Sequence, residues 1–236
     1  MFKFSPLRVL ALASVLAAAF VVPASAATKV NVRVEGSEAT LFDGSVSVSA
    51  ASLLSNTGED RGSHQCNVAA NGGGGAPAAT PTSALVAASQ TALGDRLSPI
   101  ALQWYGDFSD FLVGSIGGQA PAGFDYWELS VNWKVAQVGG CGVALKKGDS
   151  VLWAVSDGAK PSLRLSAPNT AKRGRSFVVR GTNGATGAAI AGARVGGVTT
   201  DARGNARLAL NYGSRRPLRA VKSATTRSNT EMVTLR

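Results

Sequence analysis

Between residues 124 and 155 the chain carries three of its four tryptophans and one of its two cysteines, and its apolar residues recur at every second position. Trp127, Leu129, Val131, Trp133 and Val135 alternate with Tyr126, Glu128, Ser130, Asn132 and Lys134. A strand points successive side chains to opposite faces, so this period predicts one buried face holding all five apolar residues. A Gly-Gly-Cys turn at 139–141 and Lys147-Gly148-Asp149 lead into a second apolar strand. There Val151, Trp153 and Val155 share a face. The three tryptophans therefore read as core, and Glu128 reads as a residue of the solvent face.

The same period recurs upstream. Val30, Val32 and Val34 alternate with Asn31, Arg33 and Glu35, and Val46 and Val48 alternate with serines. Two such strands separated by Gly36 predict a hairpin. Residues 57–79 read as loop, with four consecutive glycines at 72–75. A phosphate cradle would need a Lys-Ser/Thr pair and a helix start after those glycines, and neither follows. Thr80 then caps a helix, Pro81 suits its first position, Leu85, Ala88 and Ala92 share a face, and Gly94 ends it near Leu93. Residues 97–118 read as a long connection.

The N-terminus has the pattern of an export leader. Lys3 and Arg8 precede an uncharged apolar run at 9–22, and Ala24-Ser25-Ala26 offers a cleavage site. Residues 1–26 are thus expected to be a signal peptide, cleaved after about Ala26, with no transmembrane span left afterwards. Export predicts an oxidising compartment, in which Cys66 and Cys141 form one disulfide. His64 is the sole histidine and no C-x-x-C occurs, so the chain lacks the donors for a metal site.

Charge divides the mature chain. Residues 27–158 hold seven Lys and Arg against twelve Asp and Glu, a net of −5, whereas residues 159–236 hold fifteen against two, a net of +13. The switch predicts a boundary near Lys160-Pro161. Beyond it Leu163 and Leu165, Phe177 and Val179, Leu208 and Leu210, and Val233 and Leu235 mark short strands. Asp201-Ala202-Arg203-Gly204 suits a type I turn. The expected fold is mainly β: an α+β domain with one helix at 28–157, then a basic immunoglobulin-like β-sandwich at 160–236.

Two groups of residues are candidates for binding. Trp104, Tyr105, Phe108 and Phe111 stand among Asp107 and Asp110, and aromatics among carboxylates can line a ligand groove, the competing reading being core packing. Lys172, Arg173 and Arg175, with Arg215, Arg216 and Arg219, form a possible polyanion patch. No catalytic residue is assigned. His64 sits beside Ser63 and Cys66, where adjacent residues seldom align for proton transfer. The carboxylate pairs Asp107 with Asp110 and Asp125 with Glu128 have no cleft to share. The expectation is no enzyme, no cofactor and no metal.

The motifs also carry a resemblance. Val32-Arg33-Val34-Glu35-Gly36, the loop Gly62-Ser63-His64-Gln65-Cys66, Trp127-Glu128-Leu129-Ser130-Val131-Asn132, Val138-Gly139-Gly140-Cys141 and Gly148-Asp149-Ser150-Val151-Leu152-Trp153 occur in that order. Residues 28–156 resemble the domain-of-unknown-function family related to the C-terminal domain of transcobalamin, in the form found in exported bacterial proteins. The resemblance implies a β-grasp domain. In transcobalamin-like proteins such a domain covers one face of a bound corrinoid beside a large helical domain, which this chain lacks. Ile190-Ala191-Gly192-Ala193-Arg194-Val195 followed by Thr200-Asp201-Ala202-Arg203-Gly204 looks like carboxypeptidase-regulatory-like and bacterial immunoglobulin-like modules, which implies a sandwich and no particular ligand.

The leading functional expectation is a secreted, non-catalytic binding or adhesion module of the bacterial exterior. The alternatives are a protein for a small planar, corrinoid-like ligand, and an envelope-associated protein that holds anionic cell-envelope polymers through its basic half. Nucleic acid is not an expected partner.

Overall fold

The computed structural model of the protein describes residues 27–69 and 76–236. The expected leader and the glycines at 72–75 lie outside the described residues. The N-terminal part runs β1 (Thr28–Glu35), β2 (Thr40–Val48), β3 (Ala51–Ser55), β4 (Gly62–Cys66), α1 (Pro81–Ser89), β5 (Ile100–Tyr105), β6 (Asp110–Ile116), β7 (Tyr126–Val131), β8 (Lys134–Val135) and β9 (Ser150–Ser156). Its main sheet has the order β2-β1-β9-β7-β8. β1 and β9 are parallel, and the other pairs are antiparallel. A parallel central pair reached by way of a hairpin and a helix is the β-grasp arrangement expected above.

One face of this sheet makes the core. Val30, Val32 and Val34 join Trp127, Leu129, Val151, Trp153 and Val155 there, with Ala84, Leu85 and Ala88 of α1 against them. The helix starts as its sequence dictates. Thr80 Oγ1 accepts from the Ser83 amide, Ser83 Oγ accepts from the Thr80 amide, and Pro81 occupies the first turn. It stops at Ser89, not near Leu93. The Ser89 and Thr91 hydroxyls donate to the carbonyls of Val86 and Ala88, each at 2.8 Å, so the backbone groups of the last turn are satisfied without further helix. Ala92, expected on the buried face, is exposed.

Two loop readings are corrected. β4 lies inside the stretch read as loop at 57–79 and pairs antiparallel with β3, Cys66 facing Ala51. The supposed long connection at 97–118 is mostly the hairpin β5–β6, with Trp104 opposite Phe111. The disulfide Cys66–Cys141 forms as expected, bridging a separation of 75 residues and tying β4 to the turn before β9.

Trp133 also departs from expectation. The alternation runs past the end of its strand: β7 stops at Val131, and Asn132 (φ 50°) and Trp133 (φ 70°) form a two-residue turn into β8. Hairpins favour such left-handed pairs, usually with glycine second. Trp133 therefore leaves the core face, and Val135 is exposed.

The C-terminal part comprises β10 (Leu163–Ser166), β11 (Thr170–Ala171), β12 (Ser176–Asn183), β13 (Arg194–Val195), β14 (Val198–Thr199), β15 (Asn205–Ala209), β16 (Arg215–Leu218), β17 (Ala220–Val221) and β18 (Glu231–Leu235). They form the sheets β10-β12-β15, β11-β18-β16 and β14-β13-β17. Alternate residues point inward from each, and Leu163, Leu165, Val179, Val195, Leu208, Leu218, Val233 and Leu235 make a second core with no member from the first. The Asp201 turn forms: Gly204 donates to the Asp201 carbonyl at 2.9 Å, and Asp201 Oδ1 accepts from Arg203 and Asn205.

The two parts meet across the other face of the main sheet. In an isolated β-grasp domain this face would be wet, yet Arg33, Glu35, Glu128, Ser130, Leu152, Ala154 and Ser156 are all buried there. Glu35 is 2 % exposed. It accepts from Arg227 Nε at 2.7 Å and from Arg219 Nη1 at 3.3 Å, with Arg33 at 3.8 Å. Arg219 reaches on to Asp43 at 2.5 Å, and Thr230 donates to the same carboxylate at 2.7 Å. Arg33 in turn donates to the Arg227 carbonyl at 2.6 Å. Burial pushes the Arg33 guanidinium down to about 10, against the attraction of Glu35 and Asp43. The guanidinium groups of Arg33 and Arg164 lie over the Trp133 ring, at 5.3 and 5.5 Å from its centre. It fills the space beside Gly184, where any side chain would run into it.

Candidate functional site

Tyr105 ends β5 and Asp110 begins β6, and the two are register partners across the hairpin. Between them a short 3-10 turn at Gly106–Phe108 holds Phe108 out to solvent, 75 % exposed. Ser109, at φ 47°, completes that turn. Opposite stands the segment 136–142, which the disulfide at Cys141 pins in place. The space between is a cavity of about 770 Å³ lined by Tyr105, Phe108, Asp110, Phe111 and Leu112 on one side. Val68 and residues 136–139 and 142 close the other side. A second cavity, about 400 Å³, continues along β6 past Leu112 and Val138 toward Tyr126.

Asp110 is the polar group of this groove. It is 8 % exposed. Both its oxygens lie 3.1 Å from the Cys141 amide, and Oδ1 also accepts from Phe111 at 2.7 Å. Burial pushes the carboxyl above its ordinary range, and the amides of Cys141, Phe111 and Gly142 oppose that rise. Gly139 has to be small, because a Cβ there would run into this carboxylate. Asp110 thus fastens the disulfide turn to β6 and so sets the width of the groove.

Three of the four aromatic candidates, Tyr105, Phe108 and Phe111, line the cavity. Trp104 does not. It alternates to the opposite face of β5, where His64 stacks on it at 4.6 Å between ring centres and Phe111 meets it edge-on at 4.9 Å. His64 Nε2 lies 3.3 Å from Asp60. Leu112 and Val138 are groove residues that the pattern of aromatics and carboxylates did not mark. Period two places Leu112 on the face opposite Phe111, where it is exposed.

The members of the other carboxylate pair, Asp125 and Glu128, have partners outside this groove. Asp125 faces Lys160 at 3.6 Å. Glu128, expected in solvent, is buried at the seam between the two parts, where Tyr126 donates to it at 3.4 Å and Ser156 at 3.5 Å. Burial raises its carboxyl, opposed by those two hydroxyls. Among the described residues no group of three or more His, Cys, Asp or Glu is placed to hold a metal ion, and no helix is long and apolar enough to cross a membrane.

The basic candidates separate into two sets. Lys172, Arg173, Arg175 and Arg215 are exposed, and Arg216 stacks over Tyr212 at 4.4 Å. Arg219 belongs elsewhere: it is committed to Glu35 and Asp43 at the seam. No protein-family model matches the chain, and no curated protein matches it.

Proposed function

We propose that the protein is a non-catalytic binding module of the bacterial exterior, and that its ligand is a small, flat, largely apolar molecule held between Tyr105, Phe108, Leu112 and Val138. The observation that carries this reading is the groove itself. At about 770 Å³ it falls within the size of small-molecule sites, and like them it is lined by apolar and aromatic side chains around few polar groups. The resemblance of residues 28–156 to the C-terminal domain of transcobalamin supplies the first planar class to try, the corrinoids. The leader-like residues 1–26 support placement outside the cell.

The test is a titration of the purified protein with cobalamin and, separately, with an apolar fluorescent dye, followed by absorbance, by dye emission and by retention in dialysis. Phe108→Ser and Leu112→Ser lie on exposed positions and leave the core intact. Saturable binding that both variants weaken by about tenfold supports the groove, since each removes an apolar wall worth roughly 1–2 kcal/mol. Binding of neither probe at micromolar concentration, or binding that both variants leave unchanged, overturns it. Dye binding without cobalamin binding keeps the groove and discards the corrinoid class.

A further inference from the structure

Five of the cations that the seam does not use, Lys172, Arg173, Arg175, Arg215 and Arg216, are gathered on one lip of the C-terminal sandwich. Three segments build it. β18 runs from the seam, at Glu231, to the lip, at Leu235, with β11 parallel on one side and β16 antiparallel on the other. β11 therefore delivers the turn at 172–175 and β16 begins with Arg215 at the same end. The Gly174 amide donates to the Leu210 carbonyl at 2.9 Å, and Arg173 Nη1 reaches the Asn211 carbonyl at 3.5 Å. These bonds set the turn at 172–175 beside the loop that carries Tyr212.

Two properties of this lip point to a ligand. First, none of Lys172, Arg173, Arg175, Arg215 and Arg216 lies within ion-pairing distance of a carboxylate among the described residues, whereas Arg33, Lys160, Arg219 and Arg227 all do. Four of those five lip cations are arginines, whose planar forks suit bidentate bonds to carboxylate, sulfate or phosphate. Second, Tyr212 stands among them 66 % exposed, one face covered by Arg216 and the other open. Gly213, at φ 81°, lets the backbone turn beneath that stack.

We infer that this lip binds an acidic polysaccharide, the arginines taking its anionic groups and the open face of Tyr212 taking the apolar face of one sugar ring. A nucleic-acid strand would call for several aromatic platforms in a row, and the lip has one. A lipid surface would call for an aliphatic or tryptophan wedge, and residues 172–175 and 211–216 contain none.

The experiment measures binding of the full chain to polygalacturonate, with neutral dextran, oligo-dT and vesicles of phosphatidylglycerol and phosphatidylcholine as separate arms. Two triple variants remove equal charge: Arg173, Arg175 and Arg215 to Ser on the lip, and Arg180, Arg194 and Arg203 to Ser on other exposed surfaces. Tyr212→Ser is the third variant, and thermal unfolding verifies that each folds. The lip triple is expected to lose about tenfold or more in polygalacturonate affinity and Tyr212→Ser about threefold, with the control triple losing under about twofold. Equal losses in the two triples mean net charge alone and overturn the site. So does an unaffected Tyr212→Ser, an absence of polygalacturonate binding, or tighter binding to oligo-dT or to the vesicles.

Discussion

Arg227 Nε donates to Glu35 Oε2 at 2.7 Å across 192 residues of chain. Glu35 ends β1, which lies between β2 and β9 in the first sheet, while Arg227 lies just before the last strand of the sandwich. The carboxylate has Arg33, Arg219 and Arg227 around it and almost no water. Replacing it by alanine leaves Arg33 and Arg227 at the seam without their carboxylate, Arg219 keeping Asp43, which costs about 3–5 kcal/mol when one partner of a buried pair is removed. Urea unfolding of Glu35→Ala measures this. A loss under about 1 kcal/mol would show that the seam opens to water without cost.

Trp133 makes the opposite use of the same seam. Its backbone is left-handed, which costs a non-glycine residue about 1–2 kcal/mol, and its ring is held by Arg33 and Arg164. Both Trp133→Ala and Trp133→Gly lose the ring, but only glycine relieves the backbone. Trp133→Gly is therefore expected to be more stable than Trp133→Ala by about 1 kcal/mol, the reverse of the usual order within a strand. Both variants are expected to be cut faster than the parent by protease in residues 157–162. Equal stability of the two variants would contradict the strain.

The alternation in residues 126–135 was legible as a strand, and its error is instructive. Asn132 carries the turn without a glycine after it, so nothing in composition marks the reversal, and period two continues by accident through Trp133. The hairpin β5–β6 was hidden for another reason. Asp110 and Leu112 share its outer face, one a buried acid and the other an exposed leucine, so the alternation is blurred. The disulfide, the cap at Thr80 and the valines of β1 could be read directly, because each is a local signal or follows from there being two cysteines, whereas the aromatics at 104–111 left groove lining and core packing both open. The seam could not. Glu35 and Glu128 look like solvent-face residues of an amphipathic strand, and only the arrival of the sandwich, far away in sequence, turns that face into an interior. The charge switch at residue 159 was its one visible trace: part of the basic excess neutralises carboxylates of the acidic half.

Removing Cys66 and Cys141 together, as alanines, is expected to lower the free energy of unfolding by about 4 kcal/mol, from the entropy of a loop of this length in the unfolded chain. The groove is expected to lose order with it, since the Cys141 amide is bonded to Asp110. Denaturant unfolding with and without reductant, together with dye binding, checks both. Unchanged stability on reduction sinks the first expectation.

Asp110 gives a pH dependence with a definite sign. Its folded carboxyl titrates above the ordinary value of 3.8, so over that interval the native state holds more proton than the unfolded chain. This group's contribution to stability is full below 3.8, declines as pH rises through the interval, and levels off once the folded carboxyl has ionised. Asp110→Asn removes that decline. Unfolding free energies of parent and variant, measured from pH 3.5 to pH 7, are expected to differ in slope just above the ordinary carboxyl range and to run parallel at neutrality. Identical slopes throughout would show that the carboxyl is solvated.

The parallel pairing of β1 with β9 has a mechanical consequence. Tension applied at residue 28 and beyond residue 156 pulls these neighbouring strands lengthwise past each other. Their five register pairs, from Asn31 with Ser150 to Glu35 with Ala154, are then loaded together rather than peeled one after another. A chain stretched between a surface and whatever its sandwich grips would meet its stiffest element first.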